Sequence, residues 1–526
     1  RPAMRFFNTA GPVKCQIHYC VPPLQRFDLD MVMMLIAQQK YCVLHAPRQV
    51  GKTTYLLALM EHLNQTGQYT ALYINVEIAQ AAREDVDAAI RAILSELGSA
   101  ARVYLGDQTL EALWPAIWRE HGGFNALGEV LTRWADGNAK PLVLLIDEID
   151  ALIGDTLIAV LRQLRAGYAK RPWLFPQSVV LCGVRDVRDY RIHSSRNQEI
   201  ITGGSAFNIK ARSLRMDDFD KAEVQSLYRQ HTAETGQPFD AEALELMWQL
   251  TQGQPWLVNA LGYEVCFEMA AGRDRSHPIT VNLVNEAKEH LILRRETHLD
   301  QLVDKLREPR VRSVIEPILA GQRTPERLPD DDVQYVVDLG LVAKDGQLHI
   351  ANPIYQEIIP RALIYTTQLT ISQEPAWYIQ PDGRLDVAKL LAAFQQFYRE
   401  HSEHWLAGMP YREAGPQLLM QAFLQRIVNG GGRVEREYGL GRRRTDLLLI
   451  WPYPGGVQRV VIELKVRYGV LEQVLADGQA QVWAYMDSSG AEAGHLLIFD
   501  REPGRSWDEK IYRRTVQYRG KSIEVW

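Results

Sequence analysis

Nine consecutive residues, Ala46, Pro47, Arg48, Gln49, Val50, Gly51, Lys52, Thr53 and Thr54, have the types and spacing needed to hold a chain of phosphates. A glycine at 51 lets backbone amides curl around an anion, and a helix starting at Lys52 would present its N-terminus to it. Lys52 is placed to reach the β- and γ-phosphates, and Thr53 to ligate Mg²⁺. The usual first glycine of such a loop is replaced by Ala46. Further along, the aliphatic run Leu142–Ile146 ends on two carboxylates, Asp147 and Glu148. Asp147 would hold Mg²⁺, and Glu148 would polarise an attacking water as a general base. The expected ligand is ATP with Mg²⁺.

A second group lies near the C-terminus. Asp446-Leu-Leu-Leu-Ile450 and Val460-Val-Ile-Glu463-Leu-Lys465 read as two strands joined by a turn at Pro454-Gly455-Gly456. A hairpin folded symmetrically about Pro454-Gly455 sets Asp446 opposite Glu463. Directly opposed residues share a face with Cβ atoms about 4.5–5.5 Å apart. Alternation then puts Lys465 on that face, while Leu447, Leu449, Ile462 and Leu464 turn toward a core. Opposed carboxylates repel. A divalent cation between them, Mg²⁺ or Mn²⁺, would remove that cost and polarise a phosphodiester. Lys465 would orient the water or steady developing negative charge. Gln481 and Tyr485 are one helical turn apart and so share a helix face. Arg442-Arg443-Arg444 can meet phosphates; a solvated basic turn explains them as well.

The elements that must position these residues can be read in outline. Tyr41–His45, Tyr69–Val76, Pro141–Asp147 and Ser178–Gly183 are short apolar strands alternating with helical stretches. That pattern describes a parallel sheet covered on both faces. Both nucleotide segments fall at carboxyl ends of strands, where open α/β sheets bind ligands. Leu24–Gln39 reads as one helix. Asp217–Glu234, Asp240–Gln252 and Pro255–Ala271 are helical. Leu339–Ile350 folds about Asp345-Gly346, a strong hairpin dipeptide; helices followed by such a hairpin suggest a winged helix. A helix over Tyr411–Ile427 precedes the C-terminal strands. The expected organisation is an N-terminal segment (1–28), a phosphate-loop core (29–215), a helical lid (216–298), a winged helix (299–366), a connector (367–400) and a C-terminal α/β domain (401–526).

Composition sets the class. The chain has 526 residues, 46% hydrophobic and 23% charged, which is ordinary for a soluble globular protein. Residues 401–526 carry 17 Lys+Arg against 15 Asp+Glu, a surplus of two; the remainder is 42 against 49, a deficit of seven. A mildly basic C-terminal part on an acidic body favours nucleic acid there. Cys15, Cys20, Cys42, Cys182 and Cys266 have no metal-ligand spacing, so reduced thiols and a cytoplasmic setting are expected. No stretch reaches the ~18 apolar residues of a membrane span.

The segment Ala46–Thr54 followed by Leu142–Glu148 resembles the ASCE branch of P-loop ATPases, in particular AAA-like and STAND-type ATPases. Cys182-Gly183-Val-Arg185-Asp186 looks like their sensor region, and Gly253-Gln254-Pro255 like their lid turn beside the adenine, which implies adenine contact at Pro255. An arginine on the γ-phosphate is implied too, with Arg185, Arg188, Arg191 and Arg212 as candidates. Asp446…Glu463-x-Lys465 is similar to the PD-(D/E)XK nuclease superfamily, with Thr445 where the proline stands. Gln481-Val-Trp-Ala-Tyr485 resembles the Q-x-x-x-Y helix of its RecB-type members, and Glu413 is placed like their preceding acidic metal ligand. The implied fold is a P-loop ATPase core with helical lid and winged helix, plus a restriction-endonuclease-like α/β domain. The implied function is ATP-regulated, Mg²⁺-dependent cleavage of nucleic acid, DNA sooner than RNA, with Gln481 in the catalytic set and homo-oligomers common in such proteins. The alternative is a nucleotide-dependent switch or scaffold whose C-terminal domain binds nucleic acid or protein without cutting. The winged helix could read DNA, but the resemblance to STAND-type proteins implies a structural relay sooner, and Asp330-Asp331-Asp332 makes its surroundings acidic.

Overall fold

The computed structural model describes residues 4–186, 190–194, 199–294, 301–302, 304–319, 328–363, 378–407, 420, 424, 433–436, 446–467, 469–500 and 504–526. The chain forms two compact units, residues 1–298 with 337–340 and residues 299–336 with 341–526.

The first unit is built on β1 (Tyr41–His45), β2 (Thr70–Asn75), β3 (Leu142–Asp147), β4 (Ser178–Gly183) and β7 (Lys210–Arg215). They pair in parallel in the order β2-β3-β4-β1-β7. A side hairpin, β5 (Arg191–Ser194) with β6 (Glu199–Thr202), stands apart from this sheet. Alternate residues of each strand enter opposite cores. Val43, Leu72 and Leu144 pack on one face, and Leu44, Tyr73 and Leu145 on the other. Each such side chain contributes about 1.5–3 kcal/mol on burial, which is why β3 and β4 are buried along their whole length. The parallel sheet expected from the aliphatic runs is the one found.

The expected single helix over Leu24–Gln39 is corrected. Pro23–Arg26 is a short 3-10 turn and the helix runs Leu29–Ala37. The break is chemical: Asp28 is extended, and its carboxylate accepts the Met31 N–H at 3.1 Å as an N-cap. The helices expected to form the lid are Lys221–Thr235, Ala241–Thr251 and Pro255–Tyr263. The first carries a reciprocal capping box between Asp220 and Glu223. Phe7 and Tyr19 from the N-terminal segment are fully buried against the lid, with the Phe7 ring 5.6 Å from that of Tyr228. In that segment Cys15 and Cys20 are joined in a disulfide, not left as thiols as expected; Cys42, Cys182 and Cys266 are buried and outside any disulfide.

The second unit begins with helical residues and a hairpin, β8 (Val342–Asp345) and β9 (Gln347–Ile350), turning at Gly346 with φ +85°. Its sheet comprises β10 (Arg433–Arg436), β11 (Asp446–Tyr453), β12 (Gly456–Val466), β13 (Ala493–Phe499), β14 (Arg514–Tyr518) and β15 (Lys521–Val525). The order is β10-β11-β12-β13-β15-β14, with β12, β13 and β15 mutually parallel. The helix Val387–Ala407 covers one face through Leu390, Leu391 and Phe394. The helix Leu471–Ser489 covers the other through Leu475, Val482 and Tyr485. Most of the helix expected at Tyr411–Ile427 lies outside the described residues. Among the described residues no helix is long and apolar enough to cross a membrane.

One position tests the lid. Gly253 has φ +78°, and a Cβ there would sit 1.8 Å from the Phe219 carbonyl oxygen. Gly253→Ala therefore combines an unfavourable backbone region with a main-chain clash. The expected outcome is a loss of about 2–4 kcal/mol, read as a lowered first midpoint in thermal unfolding.

Candidate functional site

The loop between β1 and the helix Lys52–Gln65 turns on two residues of positive φ, Gln49 at +62° and Gly51 at +109°. Its carbonyls are taken by side-chain donors from outside the turn. Lys52 Nζ donates to the Ala46 and Pro47 carbonyls at 2.8 Å each. Gln254 Nε2 donates to Gln49 O at 3.3 Å, and Arg26 Nη1 to Val50 O at 2.8 Å. Carbonyls held outward in this way leave the loop's amides to line a nest for an anion. Ala46 is fully buried where the usual pattern has glycine, and its N–H donates to Gly183 O at 3.1 Å. Thr54 faces elsewhere: its Oγ1 accepts the Val13 N–H at 3.0 Å. Arg48 is exposed at the loop's rim.

Asp147 ends β3 with no solvent exposure. Three donors surround it. Thr53 Oγ1 donates to Oδ2 at 2.6 Å, Tyr73 OH to Oδ2 at 2.9 Å, and the Glu148 N–H to Oδ1 at 2.9 Å. The two candidate magnesium ligands, Thr53 and Asp147, are thus already together, and their hard oxygens suit that ion. Glu148 sits in the left-handed region at φ +58°, an uncommon conformation for a non-glycine residue that often marks a functional site. Burial, and next the charge of Asp147, push its carboxyl above the ordinary glutamate range, against the pull of Lys52 and Arg48. Asp150 was not anticipated as a site residue. Its Oδ1 accepts the Val184 N–H at 2.8 Å and the Tyr190 hydroxyl, fixing the segment after β4. Tyr73 was missed as well; a tyrosine inside an apolar strand gives no sign of its hydroxyl's partner.

The arginine candidates separate. Arg185 Nε pairs with Asp338 at 3.1 Å. Arg212 is exposed, with Nη1 3.2 Å from Met31 Sδ. Arg188 lies outside the described residues, and of Arg191 only the backbone is described. Pro255 is buried at the first position of its helix, where the missing N–H costs nothing.

In the second unit the strand register is the expected one. Asp446 stands opposite Glu463, and the pairing continues to Tyr453 opposite Gly456. Leu447, Leu449, Ile462 and Leu464 enter the core under Val387–Ala407, so Glu463 and Lys465 share the face of Leu471–Ser489. Glu463 is 1% exposed, and Lys465 Nζ lies 3.1 Å from its Oε1. Gln481 Oε1, on the helix Leu471–Ser489, is buried and without a hydrogen-bond partner among the described residues. Tyr485, one helical turn further on, has its ring buried in the apolar cluster under that helix. Two residues past Lys465, Arg467 pairs with Asp500 at 2.8 Å, and Arg505 joins that carboxylate at 3.1 Å. Glu413 and Arg442–Arg444 lie outside the described residues, and Asp446 is described by its backbone alone. Among the described residues no group of three His, Cys, Asp or Glu is gathered.

A family model described as an AAA domain matches residues 36–190, a span that contains both the phosphate loop and the Asp147-Glu148 pair. No curated protein matches. Among solved structures, a Walker-type ATPase of Pyrococcus abyssi is 14% identical, covering 67% of this chain and 99% of that one at a TM-score of 0.46. The RuvB Holliday junction branch migration motor of Thermotoga maritima is 13% identical, covering 63% and 92% at 0.33. Cdc6p of Pyrobaculum aerophilum is 13% identical, covering 64% and 92% at 0.35. All three are loose likenesses. Residues 36–190 thus match an AAA domain and carry its phosphate loop, so ATP is the expected ligand.

Tyr73→Phe tests the carboxylate's setting. Removing one donor to a buried carboxylate costs about 1.5–3 kcal/mol. The expected outcome is ATP affinity lowered about tenfold in Mg²⁺ but little changed in EDTA, measured by calorimetric titration.

Proposed function

We propose that the chain is an ATP-hydrolysing regulator of its own divalent-metal-dependent nuclease domain. The observation that carries the nuclease half is the pairing of Asp446 with Glu463 beside a lysine 3.1 Å from that glutamate. A structural hairpin has no need of opposed carboxylates on the face of an aliphatic sheet, one of them almost fully buried. The buried, unpartnered Gln481 oxygen on the helix that covers this face adds a polar group that apolar packing does not explain.

At the nucleotide site, Lys52 would exchange the Ala46 and Pro47 carbonyls for the β- and γ-phosphates. Thr53 and Asp147 would hold Mg²⁺, and Glu148 would take a proton from water. In the second unit Asp446 and Glu463 would hold Mg²⁺ or Mn²⁺, with Glu413 a further expected ligand. Lys465 would orient the attacking water or steady the charge on the phosphate, and Gln481 would position the reacting groups. A bound divalent cation supplies charge neutralisation and a more acidic water at such a site. The substrate is nucleic acid, DNA sooner than RNA, and occupancy of the P-loop would control access to the nuclease residues through the lid and winged helix.

A second reading is a nucleotide-dependent scaffold that binds nucleic acid or protein without cutting. The ion pair between Lys465 and Glu463 favours it, because that carboxylate is compensated with no metal.

A mixed panel of single- and double-stranded DNA and RNA separates the two readings, incubated with Mg²⁺ or Mn²⁺, with and without ATP. Cleavage by wild type is expected, abolished in Lys465→Ala and altered in its ATP response in Lys52→Ala. An active ATPase that leaves every substrate intact establishes the scaffold. For the ATPase, Glu148 must be deprotonated to act as base, and its pKa is raised. The acid limb of kcat/KM, which reports the free enzyme, should therefore lie above the ordinary glutamate range of about 4.3, rate climbing as pH rises through it. Glu148→Gln should lower kcat about 10²–10⁴-fold while ATP binding persists.

A further inference from the structure

Arg26 belongs to none of the motifs above, yet it touches both the phosphate loop and the start of the lid. It closes the 3-10 turn Pro23–Arg26. Its Nη1 donates to the Val50 carbonyl at 2.8 Å, one residue before Gly51. Its Nη2 donates to the Asp217 carbonyl at 2.5 Å, and the guanidinium lies 4.5 Å from the centre of the Phe219 ring. A Cβ on Gly51 would come within 3.2 Å of Nη1, so glycine there also makes room for the arginine.

From Phe219 the contacts continue. Its N–H donates to Gly253 O at 2.9 Å, and its own carbonyl occupies the space a Cβ on Gly253 would take. Gln254, the next residue, caps the Pro255–Tyr263 helix through the Leu257 N–H at 2.7 Å and returns to the phosphate loop at Gln49 O. The circuit is closed: Val50, Arg26, Phe219, Gly253, Gln254, Gln49. Apart from the stacking of Arg26 on Phe219, each contact ends on a backbone atom of the loop or of the lid turn, so displacement of either strains the other.

We infer that Arg26 is a positioning residue of the nucleotide site, coupling the conformation of the phosphate loop at Val50-Gly51 to the lid at Asp217–Leu257. This rests on ATP binding at residues 46–54 and is independent of any nuclease activity. Coupling of this kind requires that nucleotide favour one lid arrangement over another. Only a planar fork with two parallel donors and a stacking face makes all three contacts at once; a lysine offers a single point of charge.

The test uses the full chain and no nucleic acid. Hydrogen–deuterium exchange of the Asp217–Leu257 segment is followed with and without saturating Mg²⁺–ATP, and affinity is measured by calorimetry. In wild type, ATP should change exchange in this segment several-fold. In Arg26→Gln, affinity should fall about tenfold, which is about 1.4 kcal/mol. At saturation the Lys52–Gln65 helix should still gain protection, while the lid segment no longer responds. Arg26→Lys should recover affinity to within about threefold but not the lid response. An exposed control, Arg229→Gln, should behave as wild type. A merely structural arginine would loosen loop and lid alike, whatever the nucleotide. Lid exchange that ignores ATP in wild type, or a full response in Arg26→Gln, overturns the inference. If Arg26→Gln does not fold, Arg26→Lys carries the same comparison.

Discussion

A carboxylate without solvent must be surrounded by donors, and the first unit is arranged around that requirement. Asp147 has no exposed surface, and an uncompensated charge there would cost several kcal/mol. Its three donors come from the helix after the phosphate loop, from the middle of β2 and from its own chain neighbour. They fix the height of the helix at Thr53 relative to the sheet, the register of β2 against β3, and the left-handed turn at Glu148. The raised pKa of Glu148 follows in part from the same charge. The loop, the strand ends and the adjacent glutamate are thus one electrostatic object.

The same reasoning explains what could be read from the residues alone. Aliphatic strands declare themselves because burial on both faces removes every polar residue, so β1, β3 and β4 were found almost to the residue. The Asp446–Glu463 register was legible for a different reason. A tight turn with two glycines leaves a symmetric hairpin little freedom, and slipping by one residue would expose Leu447, Leu449, Ile462 and Leu464. Local chemistry, where it was overlooked, produced the error at Asp28: a helix-like run of apolar residues was read across an N-cap that only its carboxylate reveals.

What stayed hidden is long-range and polar. Tyr73 meets Asp147 across 74 positions, and Arg26 meets Asp217 across 191. Asp150 holds the Val184 N–H across 34. None has a period or a spacing, because hydrogen bonds between distant segments leave no mark on the neighbouring sequence. Arg26 is the clearest case. Within its own stretch it is one basic residue after two prolines, and only the folded chain shows it reaching two main-chain carbonyls.

The two acidic centres solve the burial problem in opposite ways. Asp147 is held by neutral donors, two hydroxyls and an amide, so its full negative charge remains for a cation to meet. Glu463 faces a cation that the chain itself provides, and a metal arriving there must compete with Lys465 at 3.1 Å. Coulomb attraction over that distance is strong in an apolar layer; under the proposed nuclease reading a divalent ion would bring twice the charge and would be held by Asp446 as well. Its arrival would free the ammonium to face a phosphate. An arrangement in which lysine holds the carboxylate until a metal displaces it keeps the site compensated at every stage, which an opposed pair of carboxylates without the lysine could not do.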